Sequence, residues 1–207
     1  MLTIFDFTIQ SQLGSGSFGN VYHAVYKPTG LHVALKIASK TPVNLRAFHQ
    51  ETSAMLLLGN GHPNIVHLHG FFEDSARTYM VLEYCNMGNL HDYLEKRGMP
   101  VPEHQAGKWM AQLASAVQFC HSRGVVSRDI KNANVMLTKS SGAKLADFGL
   151  AVVVDNVDTH LFASSAGSAV FSAPEVYTYV ERLSHQCLWV CVLSRSFDIF
   201  EFPLLPL

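Results

Sequence analysis

The sequence predicts an α+β fold with two lobes, a strand-rich amino-terminal lobe with one main helix and a helix-rich carboxy-terminal lobe. Length and composition are the first observation behind this prediction. The chain has 207 residues, enough for a buried core, and its 48% apolar and 15% charged residues exclude a disordered chain. The second observation is a change from strand-like to helix-like segments near residues 83–87.

Segments rich in β-branched and aromatic residues, separated by Gly or Pro turns, predict strands over the first part of the chain. We expect these strands at residues 7–13, 21–26, 32–37, 68–72 and 78–82. Between the third and fourth strands, residues 43–58 are expected to form the helix of this lobe. Their apolar residues Phe48, Met55 and Leu56 lie near helical spacing.

The middle of the chain has a helical pattern. A short helix is expected at residues 89–96, with Asn89 as its N-cap. A longer amphipathic helix is expected at residues 103–122, because apolar residues recur on one face: Trp109, Leu113, Ala116, Val117 and Cys120. Short strands are expected to follow at residues 135–137 and 143–146.

Charge and cysteine content exclude several classes of protein. The net charge of −1 disfavours non-specific electrostatic binding to nucleic acid or to an anionic membrane. The four cysteines are scattered and predict neither a disulfide framework nor a zinc site, and the longest apolar runs are too short to cross a bilayer. We therefore expect an intracellular protein, cytoplasmic or nuclear, without nucleic-acid or membrane partners. Nothing in the sequence indicates an oligomeric state.

Gly14, Gly16 and Gly19 form a G-x-G-x-x-G element between two predicted strands. Glycines allow backbone N–H groups to approach phosphates closely, although a glycine-rich hairpin or a dinucleotide fold could contain the same pattern. Because a dinucleotide-binding loop opens a helix, the flanking strands disfavour that alternative.

Lys36 lies on the third predicted strand, on the same face as Ala34. A cation facing the glycine loop could hold polyphosphate oxygens, and Glu51 on the following helix could pair with it. A single lysine is more commonly a surface residue, and the spacing between Lys36 and Glu51 proves nothing alone.

A polar loop follows the long helix and offers the carboxylate of Asp129, the cation of Lys131 and the amide of Asn134. Asp147 supplies a second carboxylate on a turn that Gly149 permits, so the set could accept a proton and bind a hard cation. Each aspartate alone could be a turn or cap residue. Four separate elements that recur in order disfavour that explanation.

Together these elements resemble the motifs of eukaryotic-type serine/threonine protein kinases, from Phe7 to about Cys187. The resemblance implies that ATP and Mg²⁺ are the cofactors and that serine or threonine hydroxyls of proteins are the substrates. Lys131, two residues after Asp129, is typical of the serine/threonine enzymes. The catalytic residues would be Asp129, as the base, and Lys131, and the metal ligands would be Asn134 and Asp147.

The same resemblance implies how the nucleotide would be held. The glycines Gly14, Gly16 and Gly19 would cover its phosphates, and Lys36 would bind the α/β-phosphates with Glu51 as its partner. Val21 and Ala34 would cover the adenine from above, and Met136 from below. Leu82 would be the gatekeeper, and the backbone of Glu83 and Cys85 would contact the adenine in the hinge between the lobes.

Regulation by phosphorylation is a further implication of the resemblance. Arg128 could clasp a phosphate on the segment that precedes Ala173-Pro174-Glu175, and Ser164 is the best placed acceptor. Ser168 stands where the family has a hydroxyl that bonds the base.

Two departures from the family pattern qualify these expectations. Ser127 replaces the histidine that normally packs beneath the Phe of Asp-Phe-Gly, among Met55, Leu68 and Phe148. Losing that packing is expected to cost about 1–3 kcal/mol, by analogy with large-to-small core changes.

The second departure is the end of the chain, where an apolar segment replaces the helices that complete the lower lobe. We expect an upper lobe at residues 1–84, a partial lower lobe at 85–186 and an aberrant apolar tail at 187–207. Trp189-Val190 read two bases out of frame gives a glycine codon, so the shifted frame can spell Ser-Leu-Gly-Val. A lost reading frame near Cys187 is therefore our hypothesis. A nucleotide-binding pseudokinase scaffold and an inactive fragment are the alternatives to an active kinase.

Overall fold

The computed structural model describes residues 2–16, 19–140 and 142–155. After a short 3-10 turn at Ile4–Asp6, the upper part of the molecule is a five-stranded antiparallel sheet in the order β1-β2-β3-β5-β4. Its strands are β1 (Phe7–Gly16), β2 (Gly19–Tyr26), β3 (Leu31–Ser39), β4 (Leu68–Glu73) and β5 (Arg77–Glu83). All five predicted strands are present, each with slightly longer bounds.

Helix α1 (Pro42–Leu58) connects β3 to β4. It begins at Thr41, whose side chain accepts a hydrogen bond of 3.2 Å from the backbone N–H of Asn44. The sequence placed Leu56 near helical spacing with Phe48 and Met55. In the structure, however, Leu56 does not lie on the packed face of α1, because it is 62% exposed. The buried stripe runs at helical spacing through Phe48, Glu51, Thr52, Met55 and Leu58, and Leu56 lies about 100° around the helix from Met55.

The lower part of the described chain is built on two helices, α2 (Leu90–Arg97) and α3 (Glu103–Ser122). Asn89 caps α2 by accepting a 2.8 Å hydrogen bond from the backbone N–H of Asp92, as predicted. The predicted apolar face of α3 is buried. The strands that follow are β6 (Val125–Val126), β7 (Val135–Thr138), β8 (Gly142–Leu145) and β9 (Val152–Val153).

The strands of the lower part form two small antiparallel pairs. Strands β7 and β8 form a hairpin, whereas β6 pairs with β9. The β6–β9 pair was not predicted, because two residues per strand carry no detectable alternation. Its effect is to fix the segment after Asp147 beside the end of α3.

One hydrophobic core crosses the junction of the two parts. It joins Met55 and Leu58 of α1 to Leu113 and Val117 of α3 and to the β7–β8 hairpin. A smaller cluster, which contains Phe7, lies on the other face of the sheet. The shared core holds the sheet and the lower helices in one arrangement, so a site between them has fixed walls.

Within the described residues, no helix is both long and apolar enough to cross a bilayer. Ser164, Ser168, Ala173-Pro174-Glu175 and the apolar tail lie outside the described residues.

Candidate active site

The glycine element lies where β1 turns into β2, and Gly16 faces Gly19 in the strand register. Gly19 has a φ of 134°, and a Cβ there would collide with the carbonyl oxygen of Ile37, so this position requires glycine. A Cβ on Gly14 or Gly16 would meet open space. Backbone packing therefore does not require glycine at these two positions, and the open space beside them could admit a ligand.

Lys36, Glu51 and Asp147 meet in one cluster, which we call the upper cluster. The Nζ of Lys36 lies 2.6 Å from Glu51 Oε2 and 3.4 Å from Asp147 Oδ1. Strand β3 supplies the lysine, α1 supplies the glutamate and the loop after β8 supplies the aspartate. The Glu51 carboxylate is buried, whereas the Asp147 side chain is 40% exposed.

Burial of Lys36 disfavours its charged ammonium, but Glu51 and Asp147 outweigh that effect and hold its pKa above the ordinary value. Lys36 is therefore a cation at neutral pH. Its position beside the glycine element allows it to hold an anionic group.

Asp129, Lys131 and Asn134 form a second group, the lower cluster. Asp129 Oδ2 accepts hydrogen bonds of 2.7 Å from Lys131 Nζ and 2.9 Å from Asn134 Nδ2. A second bond of 2.8 Å joins Asn134 Nδ2 to the backbone carbonyl of Asp129. A single turn of backbone, with its 3-10 helix at Asn132–Asn134, thus fixes the carboxylate.

The two clusters touch through the backbone, because the N–H of Ala146 donates a 2.9 Å hydrogen bond to the carbonyl of Asn134. This bond brings Asn134 next to Asp147. The amide nitrogen of Asn134 is engaged by Asp129, which leaves its side-chain oxygen as the ligand atom. An amide oxygen and a carboxylate are ligands that Mg²⁺ accepts, so the residues present fit that ion.

The two non-glycine residues with positive φ in the described chain both lie at this site. They are Arg128, with a φ of 62°, and Asp147, with a φ of 57°. Such backbone costs about 1–3 kcal/mol and persists only where the surroundings impose it. The Asp147 carboxylate also accepts a hydrogen bond of 3.2 Å from the N–H of Gly149.

The segment from Leu82 to Cys85 contains the last two residues of β5 and continues into the lower part of the molecule. Leu82 is opposite Ala34 in the strand register, and Val21 is opposite Lys36 on the adjoining strand. Cys85 is buried, and that burial raises the pKa of its thiol to about 12. A neutral, buried thiol is a packing residue rather than a nucleophile.

Met136 lies below this segment. It forms a β-bridge with Asn89, and its neighbour Leu137 exchanges backbone hydrogen bonds of 3.2 and 2.8 Å with Met87 and Gly88. Strand β7 is therefore attached directly to the residues that follow the hinge.

Ser127 is buried, with 2% of its surface exposed, and its hydroxyl has no hydrogen-bond partner among the described residues. Met55, Leu68 and Phe148 pack together in the main core, as the sequence led us to expect. An unsatisfied buried hydroxyl costs about 1–3 kcal/mol. Serine at this position thus carries a cost beyond lost packing.

Sequence reasoning missed two residues that hold the site. Lys144 Nζ lies 2.9 Å from Glu83 Oε2, which links β8 to the hinge through a largely buried pair. Gln50 Nε2 donates a 2.9 Å hydrogen bond to the carbonyl of Ala151. The role of Lys144 was only weakly indicated by the sequence, in which it is a charged residue between the apolar Ala143 and Leu145. Nothing in the sequence pointed to Gln50.

Comparison with known proteins identifies the family. The sequence model of the protein kinase domain matches residues 7–193, so the chain belongs to the protein kinase family. The match continues past Cys187, where the sequence analysis placed the end of the resemblance.

Curated relatives are protein kinases, and several of them are named as serine/threonine kinases. The chain is 38% identical to CBL-interacting protein kinase 3 of Oryza sativa subsp. japonica, over 79% of this chain and 37% of that protein. It is 34% identical to serine/threonine-protein kinase PLK4 of Danio rerio, over 84% of this chain and 18% of that protein. The chain thus matches only between 18% and 37% of the length of these two relatives.

Proposed function

We propose that this chain transfers the γ-phosphoryl group of ATP to serine or threonine hydroxyls of proteins. The observation that carries the proposal is the junction of the upper and lower clusters at the Ala146–Asn134 hydrogen bond. The cation that would bind phosphate and the carboxylate that would act as the base thus lie in adjoining clusters. Membership of the protein kinase family supports it, since the family generally uses ATP and Mg²⁺.

The nucleotide would lie between the sheet and β7. Val21 and Ala34 would cover the adenine from above and Met136 from below, with backbone groups of Glu83 and Cys85 at its edge. The N–H groups of Gly14, Gly16 and Gly19 would approach the phosphates. Lys36, held by Glu51, would neutralise phosphate oxygens.

Asn134 and Asp147 would hold Mg²⁺, which supplies charge neutralisation on the phosphate oxygens. Asp129 would orient the substrate hydroxyl and accept its proton, a contribution of about 10²–10⁴-fold. Lys131, 2.7 Å from Asp129, would stabilise the charge that develops on the transferred group.

We also propose the lobe assignment, with an upper lobe at residues 1–84, a partial lower lobe at 85–186 and the tail at 187–207. The crossing of the chain at residues 83–87 in the structure supports the first boundary. An intracellular location, cytoplasmic or nuclear, is proposed with it. Its support is that Cys85 and Cys120 are free, buried thiols.

The test is a phosphotransfer assay with γ-labelled ATP, Mg²⁺ and a mixed protein substrate, run on the full chain and on Asp129→Asn. We expect label on serine and threonine with the full chain, a loss of about 10²–10⁴-fold in the variant, and equal nucleotide binding by both. A full chain that binds Mg-ATP without transferring phosphate would identify the scaffold alternative. Equal turnover by the two proteins would remove Asp129 from its proposed role.

A further inference from the structure

Helix α1 reaches the segment after Asp147 through a side chain that the proposed function does not use. Nε2 of Gln50 donates a 2.9 Å hydrogen bond to the carbonyl oxygen of Ala151, which lies 101 residues away in the sequence. Gln50 directly precedes Glu51, the partner of Lys36. Any displacement of α1 that breaks the Lys36–Glu51 pair would therefore also strain the bond to Ala151.

The residue before Ala151 is held from another side. Nε of Arg128 donates a 2.8 Å hydrogen bond to the carbonyl oxygen of Leu150, and Arg128 directly precedes Asp129. The carbonyl of Leu150 is thus bound by the residue before Asp129, and the carbonyl of Ala151 is bound by the residue before Glu51. We call Leu150 and Ala151 the strap, because they connect the helix of the upper cluster to the loop of the lower cluster.

The strap is well placed to control Asp147. Ala151 is 1% exposed, and its N–H donates a 2.9 Å hydrogen bond to the carbonyl of Phe148, which closes the turn that directly follows Asp147. Beyond the strap, β9 pairs with β6. Asp147 has the left-handed backbone described above, which costs free energy and must be imposed by its surroundings. Hydrogen bonds to the strap are one such constraint.

We propose that Gln50 is a positioning residue, whose hydrogen bond to Ala151 keeps Lys36 and Glu51 in register with Asp147. The inference rests on the proposed function, because its consequence is the alignment of the phosphate-binding lysine with the metal-binding aspartate. Gln50 itself touches neither nucleotide nor substrate.

The side-chain donor can be removed with little change in size. Gln50→Glu keeps the shape but turns the donor into an acceptor that the Ala151 carbonyl repels. Gln50→Met keeps the length without any hydrogen-bonding group. Gln50→His restores an N–H donor, because its Nε2 is as many bonds from Cβ as that of glutamine. Gln118→Glu, at an exposed position on α3, is the matched control for the change of charge.

The experiment measures kcat and the KM for ATP on the full chain and its variants at pH 8, together with amide hydrogen exchange over residues 147–154. Gln50→Glu and Gln50→Met are expected to lower kcat about five- to tenfold, the effect of one neutral hydrogen bond, and to leave KM within about twofold. Exchange over residues 147–154 is expected to become faster. Gln50→His and Gln118→Glu are expected to stay within about twofold of the unmodified chain.

Three results would overturn the proposal. The first is unmodified kcat and exchange in both Gln50→Glu and Gln50→Met. The second is a Gln50→His variant as impaired as Gln50→Met, which would assign the effect to packing instead of the hydrogen bond. If the unmodified chain transfers no phosphate, the proposed function fails, and amide hydrogen exchange over residues 147–154 alone tests the role of Gln50. Faster exchange in Gln50→Glu than in the unmodified chain would support that role. Equal exchange in the two proteins is the third result that would overturn it.

Discussion

The upper and lower clusters hold their carboxylates in opposite ways. In the upper cluster, Lys36 is paired with residues 15 and 111 positions away, on separate elements. In the lower cluster, Asp129 is bonded by residues only two and five positions away. The lower cluster is therefore a property of one loop, whereas the upper cluster exists only when the sheet, α1 and the loop after β8 are packed together. Substitutions in the upper cluster should therefore destabilise the whole fold, whereas the effect of substitutions in the lower cluster should stay within its loop.

The largest effect is expected from Lys36→Met. It removes the cation that lies 2.6 Å from the buried Glu51 and leaves that carboxylate unpaired, which should cost about 3–5 kcal/mol of unfolding free energy as well as phosphotransfer. Urea denaturation and the labelled-ATP assay measure the two losses. Lys40→Met is the control, since its pair with Glu73 is more exposed and should be worth about 1 kcal/mol or less.

A double variant separates the two roles of the lysine. Lys36→Met combined with Glu51→Met replaces the pair by apolar side chains and should recover most of the stability, because no buried charge remains unpaired. Phosphotransfer should not return. If the double variant were as unstable as Lys36→Met alone, burial of the unpaired Glu51 charge would not be the cause of the instability.

Lys131→Met tests the lower cluster and should show the reverse pattern. We expect phosphotransfer to fall about 10²-fold through the loss of charge stabilisation. The unfolding free energy should fall by less than in Lys36→Met, because Asp129 Oδ2 keeps its 2.9 Å hydrogen bond from Asn134 Nδ2. The same two assays apply. A stability loss as large as that of Lys36→Met would show that the lower cluster is not local.

Ser127→Ala is expected to have a smaller effect, of opposite sign. Removing a buried hydroxyl without a partner should raise the unfolding free energy by about 1 kcal/mol. Ser122→Ala is the control, because its exposed hydroxyl donates a 2.8 Å hydrogen bond to the carbonyl of Phe119. Destabilisation by Ser127→Ala, seen in urea denaturation, would mean that the hydroxyl is satisfied in solution.

The smallest expected effect is the pH dependence of the upper cluster. The pKa of Lys36 is raised in the folded protein, so its contribution to stability is complete below the ordinary lysine pKa and is lost as pH rises through the raised value. The stability difference between the unmodified chain and Lys36→Met should therefore be constant from pH 8 to about pH 10 and smaller at pH 11. A difference that grows with pH would contradict this sign.

Hydrophobic periodicity and turn residues predicted the strands of the sheet, α1, the Asn89 cap and the buried face of α3. These features depend on residues close together in the chain, so a local pattern is sufficient. Periodicity failed at Leu56 because the stripe of α1 includes the polar Glu51 and Thr52 and therefore does not read as apolar. The β6–β9 pair was not predicted because strands of two residues are too short to show an alternation of apolar and polar residues.

The sequence by itself determined the family, the order of the elements and the placement of Asp129, Lys131 and Asn134 in one loop. Only the tertiary structure decided that Asp147 lies 3.4 Å from Lys36, that Lys144 holds Glu83 and that Gln50 binds the carbonyl of Ala151. The physical reason is the distance along the chain. Contacts across 61 to 111 residues depend on how helices and strands pack together, which no local pattern contains.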